Sequence, residues 1–198
     1  MEEGNIGTKF NDNIKFVSMV EDGNYVPFNQ ILEEVPEFAT IRLEKGKYHV
    51  KDTIQINKSI KLEGVGINET VLVGEGVTNI ISSAGEHSVV LEGISFELAE
   101  ENNFSTAVQI NCKEVSILNC SFANSKRTND YEYGVGLLIQ GSTNARITEC
   151  LFENNHESGL QISDEVKGKV QNCKATLNDS SFTATHNAEL NVEKSNSF

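Results

Sequence analysis

Ile60-Lys61-Leu62-Glu63-Gly64-Val65-Gly66-Ile67, Val89-Val90-Leu91-Glu92-Gly93-Ile94-Ser95-Phe96 and Val115-Ser116-Ile117-Leu118-Asn119-Cys120-Ser121-Phe122 lie over one another in this chain. Two further segments join them, Ala145-Arg146-Ile147-Thr148-Glu149-Cys150-Leu151-Phe152 and Gly168-Lys169-Val170-Gln171-Asn172-Cys173-Lys174-Ala175. A fainter sixth copy runs from Leu190 to Ser197. Each copy reads apolar-x-apolar-x-turn-apolar-x-apolar. The residue after the turn falls at 65, 94, 120, 150, 173 and 195, so the copies recur at steps of 29, 26, 30, 23 and 22 residues. A period-two strand pattern repeated at such intervals is the mark of a solenoid, in which each unit buries its apolar face only against its neighbours.

The alternation gives strands with one buried face. Its phase slips by one residue at Gly64, Gly93, Asn119, Glu149 and Asn172. A slip of one residue means a sharp bend that keeps the same face inward. Gly and Asn reach left-handed backbone angles at low cost, which suits such a bend; Glu149 and Lys194 fit it less well. A third strand lies upstream in each copy: 107–110, 136–139 and 159–162 align, and Ile54-Gln55-Ile56, Asn79-Ile80-Ile81 and Phe182-Thr183-Ala184 fit the same slot. Three strands per coil in units of this length predict an all-β parallel β-helix of about six to seven coils. The inward columns are expected to read Val65, Ile94, Cys120, Cys150, Cys173 and, beside them, Ile67, Phe96, Phe122, Phe152.

Residues 1–50 differ from the repeats and are read as an N-terminal cap with the first strands, followed by coils over 51–198. Apolar positions at helical spacing in 26–35, stopped by Pro36, predict a short capping α-helix. Both prolines, Pro27 and Pro36, precede the coils, as central strands require. The sixth copy reaches Phe198 with no cap in view, so an uncapped end is expected there.

The net charge of −13, from 16 basic and 29 acidic residues, argues against nucleic-acid binding. No apolar run approaches 18 residues and the start is polar, so neither a membrane span nor a leader is expected. That reading places the chain in the cytoplasm, or outside the cell if it is a trimmed mature form. The four cysteines show no Cys-x-x-Cys spacing. Coil register explains three as small buried apolar residues, so no metal site and no cofactor are expected.

Val17, Asp22-Gly23-Asn24, Phe28, Ile31-Leu32, Pro36, Ala39-Thr40-Ile41, Leu43, Gly46, Tyr48, Ile54, Ile56, Lys58-Ser59-Ile60, Leu62 and Gly64 together resemble the opening of the pectin-lyase-like superfamily, strongest in pectin methylesterases and related β-helix repeat proteins. The resemblance implies a right-handed parallel β-helix with an N-terminal helical cap. It implies little about activity, because this fold hosts lyases, hydrolases, esterases, epimerases and non-catalytic binders.

In polysaccharide-active relatives the site lies on the outer face of the first strand. Here those positions are Gln109 and Asn111, Leu138 and Gln140, Gln161 and Ser163. The paired Asp of an esterase, the calcium-binding acids and Arg base of a lyase, and the Asp cluster of a galacturonase have no match; Asp164 stands alone. No catalytic residue is assigned. Three variable loops, 97–105, 124–133 and 154–158, all join the third strand of one coil to the first of the next and are expected to share one flank. Lys126, Arg127, Asp130, Tyr131, Tyr133, His156 and Glu157 on that flank, with Gln109, Gln140 and Gln161 on the first-strand face, are the candidate binding residues. The expectation is a non-catalytic recognition or scaffolding module within a larger protein, with a protein partner or fused domain. The alternatives are a carbohydrate-active or carbohydrate-binding domain, and a structural spacer.

Overall fold

Every strand among the described residues pairs parallel to its equivalent one coil away, and the register of those pairs fixes which side chains form the core. The structure, a computed structural model, describes residues 10, 13–17, 26–99, 106–126, 134–193 and 196–197. β1 (Ile14–Val17) lies one coil before the first complete one, which holds α1 (Phe28–Glu34), β2 (Ala39–Leu43) and β3 (Gly46–Val50). The second has β4 (Ile54–Ile56), β5 (Ile60–Glu63) and β6 (Thr70–Gly74). In the third and fourth, first and second strands run together as β7 (Ile81–Glu92) and β9 (Val108–Leu118), followed by β8 (Ser95–Leu98) and β10 (Ser121–Ala123) respectively. The fifth is β11 (Val135–Ile139), β12 (Asn144–Thr148) and β13 (Leu151–Glu153). The sixth is β14 (Ser158–Ile162), β15 (Lys167–Gln171) and β16 (Lys174–Thr176), and β17 (Ser180–Ala184) and β18 (Glu189–Val192) start one more. This is the all-β parallel solenoid of about six turns that the repeats predict.

The columns behave as the pattern demands. Ile41, Leu62, Leu91, Ile117, Ile147 and Val170 stack in one inward file and are all buried. Phe96, Phe122 and Phe152 stack with ring centroids 5.3 Å apart and planes 13° apart, because parallel in-register strands impose the same side-chain direction on each coil. Cys120, Cys150 and Cys173 form a buried file of free thiols, and Cys112 is buried as well. Burial pushes the Cys112 and Cys120 thiols up to about 12 and raises Cys150 well above its ordinary value, so these thiols stay protonated and inert. The bends take the expected left-handed backbone at Gly93, Asn119, Glu149 and Asn172, with φ of 66°, 50°, 56° and 53°. At Glu149 that conformation is unfavourable for a side chain with a Cβ.

The second coil departs from the expected alignment. Val65 is 62% exposed, and Ile67 does not join the phenylalanine file. Residues 65–69 form an inserted turn, and the file continues instead through Leu72 and Tyr48. Gly64 has no left-handed φ, because the inserted turn replaces the single-residue bend. The first-strand slot of the third coil is also two residues later than the sequence pattern suggests. Ile54 faces Ile81 and Ile56 faces Ser83, which puts a serine in an otherwise apolar file. The apolar Asn79-Ile80-Ile81 mimics the slot because Ile80 is buried too, in the turn that enters the strand.

At the N-terminal face, α1 occupies the place of a first strand. Its first turn opens with the Pro27 carbonyl accepting from Ile31, and Pro36 holds Val35 extended and ends it. Phe28 and Leu32 are buried, and the Asn29 side chain accepts from the Gln55 amide and donates to the Thr53 carbonyl, standing in for a missing strand. The same cap is tied down by Tyr48, whose buried hydroxyl lies 3.1 Å from the Val17 carbonyl and 3.0 Å from that of Glu44.

Candidate functional site

The outward face of the first-strand ladder is built by parity. Once Val108, Ile110, Leu137, Ile139, Leu160 and Ile162 point inward, the residues between them must point out. Register places Gln55, Ser82, Gln109, Leu138, Gln161 and Thr183 in one outward file. A second file at the strand ends runs Asn111, Gln140, Ser163 and Thr185, linked by amides that donate to Ile110, Ile139 and Ile162 of the coil before. Gln109 Nε2 donates to Gln140 Oε1 at 2.9 Å, joining the two files across coils. These are neutral amides and hydroxyls. They can donate and accept hydrogen bonds, and none of them is ionised.

The face is not uniformly open. Gln109 and Gln140 are half-buried, whereas Leu138 is 3% exposed and Gln161 is 8% exposed. Ser163 Oγ is buried without a hydrogen-bond partner. The accessible part is therefore centred on Gln109, Asn111 and Gln140. At its rim, Gly141 has a φ of +75°, which side chains rarely adopt, and packs so closely on Asn111 Oδ1 that a Cβ there would displace the Asn111 amide. Asp164 is committed to this turn, its Oδ2 accepting from the Gly141 amide at 3.0 Å, and Glu165 accepts from Ser142 at 3.2 Å. These carboxylates lock the corner.

On the loop flank the structure brings Lys126, His156 and Glu157 to the same side. The His156 amide donates to the Ser125 carbonyl at 2.9 Å, and the Glu157 amide donates to that of Gly134 at 2.9 Å. His156 is exposed and Lys126 is half-buried. Arg127, Asp130, Tyr131 and Tyr133 lie outside the described residues. The sequence reading missed Ser83 and His87, whose Oγ and Nε2 lie 2.8 Å apart. Their spacing resembles a nucleophile and its base, but Ser83 is 2% exposed and sits between Ile56 and Ile110, so no substrate can reach it. The signal available in the sequence was Gly85, which kinks β7 where the register shifts. Burial lowers the His87 pKa, keeping the ring neutral at the corner.

Charge is concentrated on the second-strand face. Arg42 and Lys61 meet Glu63, and Lys61 reaches Glu92 at 2.7 Å. Burial opposes ionisation of Glu63, but these cations outweigh it and hold its carboxyl below the usual range. No group of three or more His, Cys, Asp or Glu side chains that could hold a metal occurs among the described residues. No helix among them is long and apolar enough to cross a membrane.

Residues 63–197, more than half of the chain, match the family described as the right handed beta helix region. The chain belongs to this right-handed β-helix family. Among solved structures, this β-helix is similar to ORF18 of Geobacillus virus E2, at 16% identity and a TM-score of 0.67, covering 86% of this chain and 39% of that one. It is also similar to a mutant of the PL6 family alginate lyase AlyGC, at 10% identity and a TM-score of 0.49, covering 100% of this chain and 40% of the other. The β-helix thus spans about two fifths of each of these longer chains. No curated protein matches the sequence.

Proposed function

We propose that this β-helix is a non-catalytic recognition module that binds an extended, uncharged partner along the outward face of its first strands. The observation that carries this reading is the Gln109, Asn111 and Gln140 surface, a patch of neutral donors and acceptors spanning two adjacent coils and framed by a rigid ladder. Neutral amides match hydroxyl or peptide groups and give no preference for anions. The acidic chain would repel a polyuronate, whose carboxylates find no cation among the described residues of the two outward files. An uncharged polysaccharide is the second reading that the same neutrality favours, and an extended polypeptide is the first. The rod also suits scaffolding within a larger protein.

The test is a titration of the purified chain with neutral glucans, with polygalacturonate and with an uncharged peptide library, in parallel with the double variant Gln109→Glu, Gln140→Glu. Binding to a neutral polymer, weakened about tenfold or more by the double variant with an unchanged circular dichroism spectrum, is the expected result. Tighter binding to the polyuronate, or neutral binding indifferent to both substitutions, would move the site off this face.

A further inference from the structure

Side-chain amides in this protein grip extended backbone in one recurring way. Asn29 Nδ2 donates to the Thr53 carbonyl at 3.0 Å and its Oδ1 accepts from the Gln55 amide at 2.8 Å, so one side chain holds two backbone groups two residues apart. Asn155 and Asn178 each likewise donate to one carbonyl and accept from one amide of the neighbouring coil. Those amides are used up inside the fold. Asn57 and Asn111 are exposed instead, and no hydrogen bond to either side chain occurs among the described residues. Register places these two amides around a hollow. Gln55, Ser82 and Gln109 stand side by side on successive coils, and Ala84 faces Asn111. Asn57 follows β4, one residue past the pair of Ile56 with Ser83. The third coil thus gives this face only the short side chains of Ser82 and Ala84, between Gln55 and Asn57 of the second coil and Gln109 and Asn111 of the fourth. Long amides on either side of short residues make a channel along the strand direction. Its walls stand two coil spacings apart, roughly 10 Å, and the two amides of each wall are two residues apart, roughly 6.6 Å.

The geometry points to this channel as the seat of an extended, uncharged polypeptide segment that lies along the first half of β7, with small side chains toward Ser82 and Ala84. The inference rests on the recognition role proposed above and names its occupant. An extended chain presents N–H and C=O groups on each side at a two-residue repeat, the same roughly 6.6 Å that separates the amides of each wall. Each wall amide carries both a donor and an acceptor, so it can take up one such pair, as Asn29 does with Thr53 and Gln55. Gln109 Nε2 is already committed to Gln140, which leaves Gln109 Oε1 to accept from an N–H of the segment. Main-chain hydrogen bonds of this kind supply affinity without demanding one sequence. None of the six channel side chains is ionised, so charge on the segment gains nothing here. The short floor sets the one steric demand, because a side chain directed at Ser82 or Ala84 has to fit between the walls.

The probe is a dye-labelled, N-acetylated decapeptide of alternating Thr and Ala, titrated into the whole chain by anisotropy. Its control is N-methylated at every second amide, which removes the donors along one side and keeps the side chains. Saturable binding is expected, weakened about tenfold or more by Ala84→Tyr, which fills the channel, and by the methyl groups in the peptide. Asn57→Leu should weaken it in the same direction, although Asn57 lies outside the Gln109 and Gln140 patch. In the unaltered protein the side-chain amide resonances of Gln55 and Asn57 should shift as the peptide is added, a readout that needs no variant. Binding that responds to Gln109→Glu with Gln140→Glu but not to Ala84→Tyr or Asn57→Leu would leave the first-strand face as the site and overturn the channel. A neutral cello-oligosaccharide that bound more tightly than the peptide and displaced it would overturn a polypeptide as the occupant. Absence of saturable binding, or unshifted Gln55 and Asn57 resonances, would overturn the proposal outright.

Discussion

His87 is a residue at which pH acts on this fold. It closes the corner between the two halves of β7, with its Nε2 against Ser83 Oγ, and Gly85 beside it takes a φ of +135° that few other residues would accept. Burial depresses its pKa; the Ile56 backbone and the carboxylates Glu37 and Glu86 oppose that shift without cancelling it. The native ring therefore binds fewer protons than the unfolded one as pH falls through the ordinary histidine value, roughly 6.5. Stability is fully present above that value and declines below it. Denaturation midpoints measured between about pH 7.5 and 5.5 should fall with acidification in the native sequence. In His87→Gln, which keeps a polar group at the corner but cannot titrate, that slope should flatten. An equal slope in both proteins would assign the pH dependence to another group.

Among the elements, the turns after the third strands are held by an asparagine ladder. The Asn155 side chain donates to the Phe122 carbonyl at 3.1 Å and accepts from the Ser125 amide at 3.2 Å. One coil on, Asn178 repeats both bonds, donating to Phe152 and accepting from Asn155. One coil back, the equivalent position is Ser125, which is fully buried and whose hydroxyl has no partner. A serine is too short to reach the carbonyl of the preceding coil, so the ladder stops one rung early. Ser125→Asn should extend it to the Phe96 carbonyl and raise stability by about 1 kcal/mol, the usual net value of a buried hydrogen bond. The check is the urea midpoint at unchanged slope; a lower midpoint would mean that the turn has no room for the longer amide. The phenylalanine file beneath these turns works on the same logic, each ring being positioned by the register of the strand below it.

On the scale of the whole molecule, a solenoid has no long-range core, so stability is shared between neighbouring coils and falls toward a bare end. The central files of β9, β12 and β15 are buried on both sides, whereas among the described residues β17 and β18 have one neighbour each. In the free protein the amides of β12 should exchange about a hundredfold or more slowly than those of β18, with β4 behaving like the centre because α1 covers it. Equal protection from end to end, read by mass spectrometry of exchanged peptides, would mean that the last coil is shielded. The period-two files, the one-residue bends and the cysteine and phenylalanine columns were legible in the chain itself, because in-register stacking forces like residues to recur at the same place in each coil. The helical cap was legible from its apolar spacing and Pro36. Three matters were not. Val65 and Ile67 match the repeat, yet an inserted turn carries them out of the core, since a short motif does not reveal which of its copies is interrupted. Ser83 enters an apolar file because His87 satisfies its hydroxyl, a pairing made by a kink in β7. Outward parity fixed the direction of Leu138 and Gln161, but their burial depends on what lies across that face. The sequence determined the direction of each side chain relative to its strand, a local property of the backbone. Only the tertiary structure decided which of those directions lead to solvent, because exposure is set by segments far away in the chain.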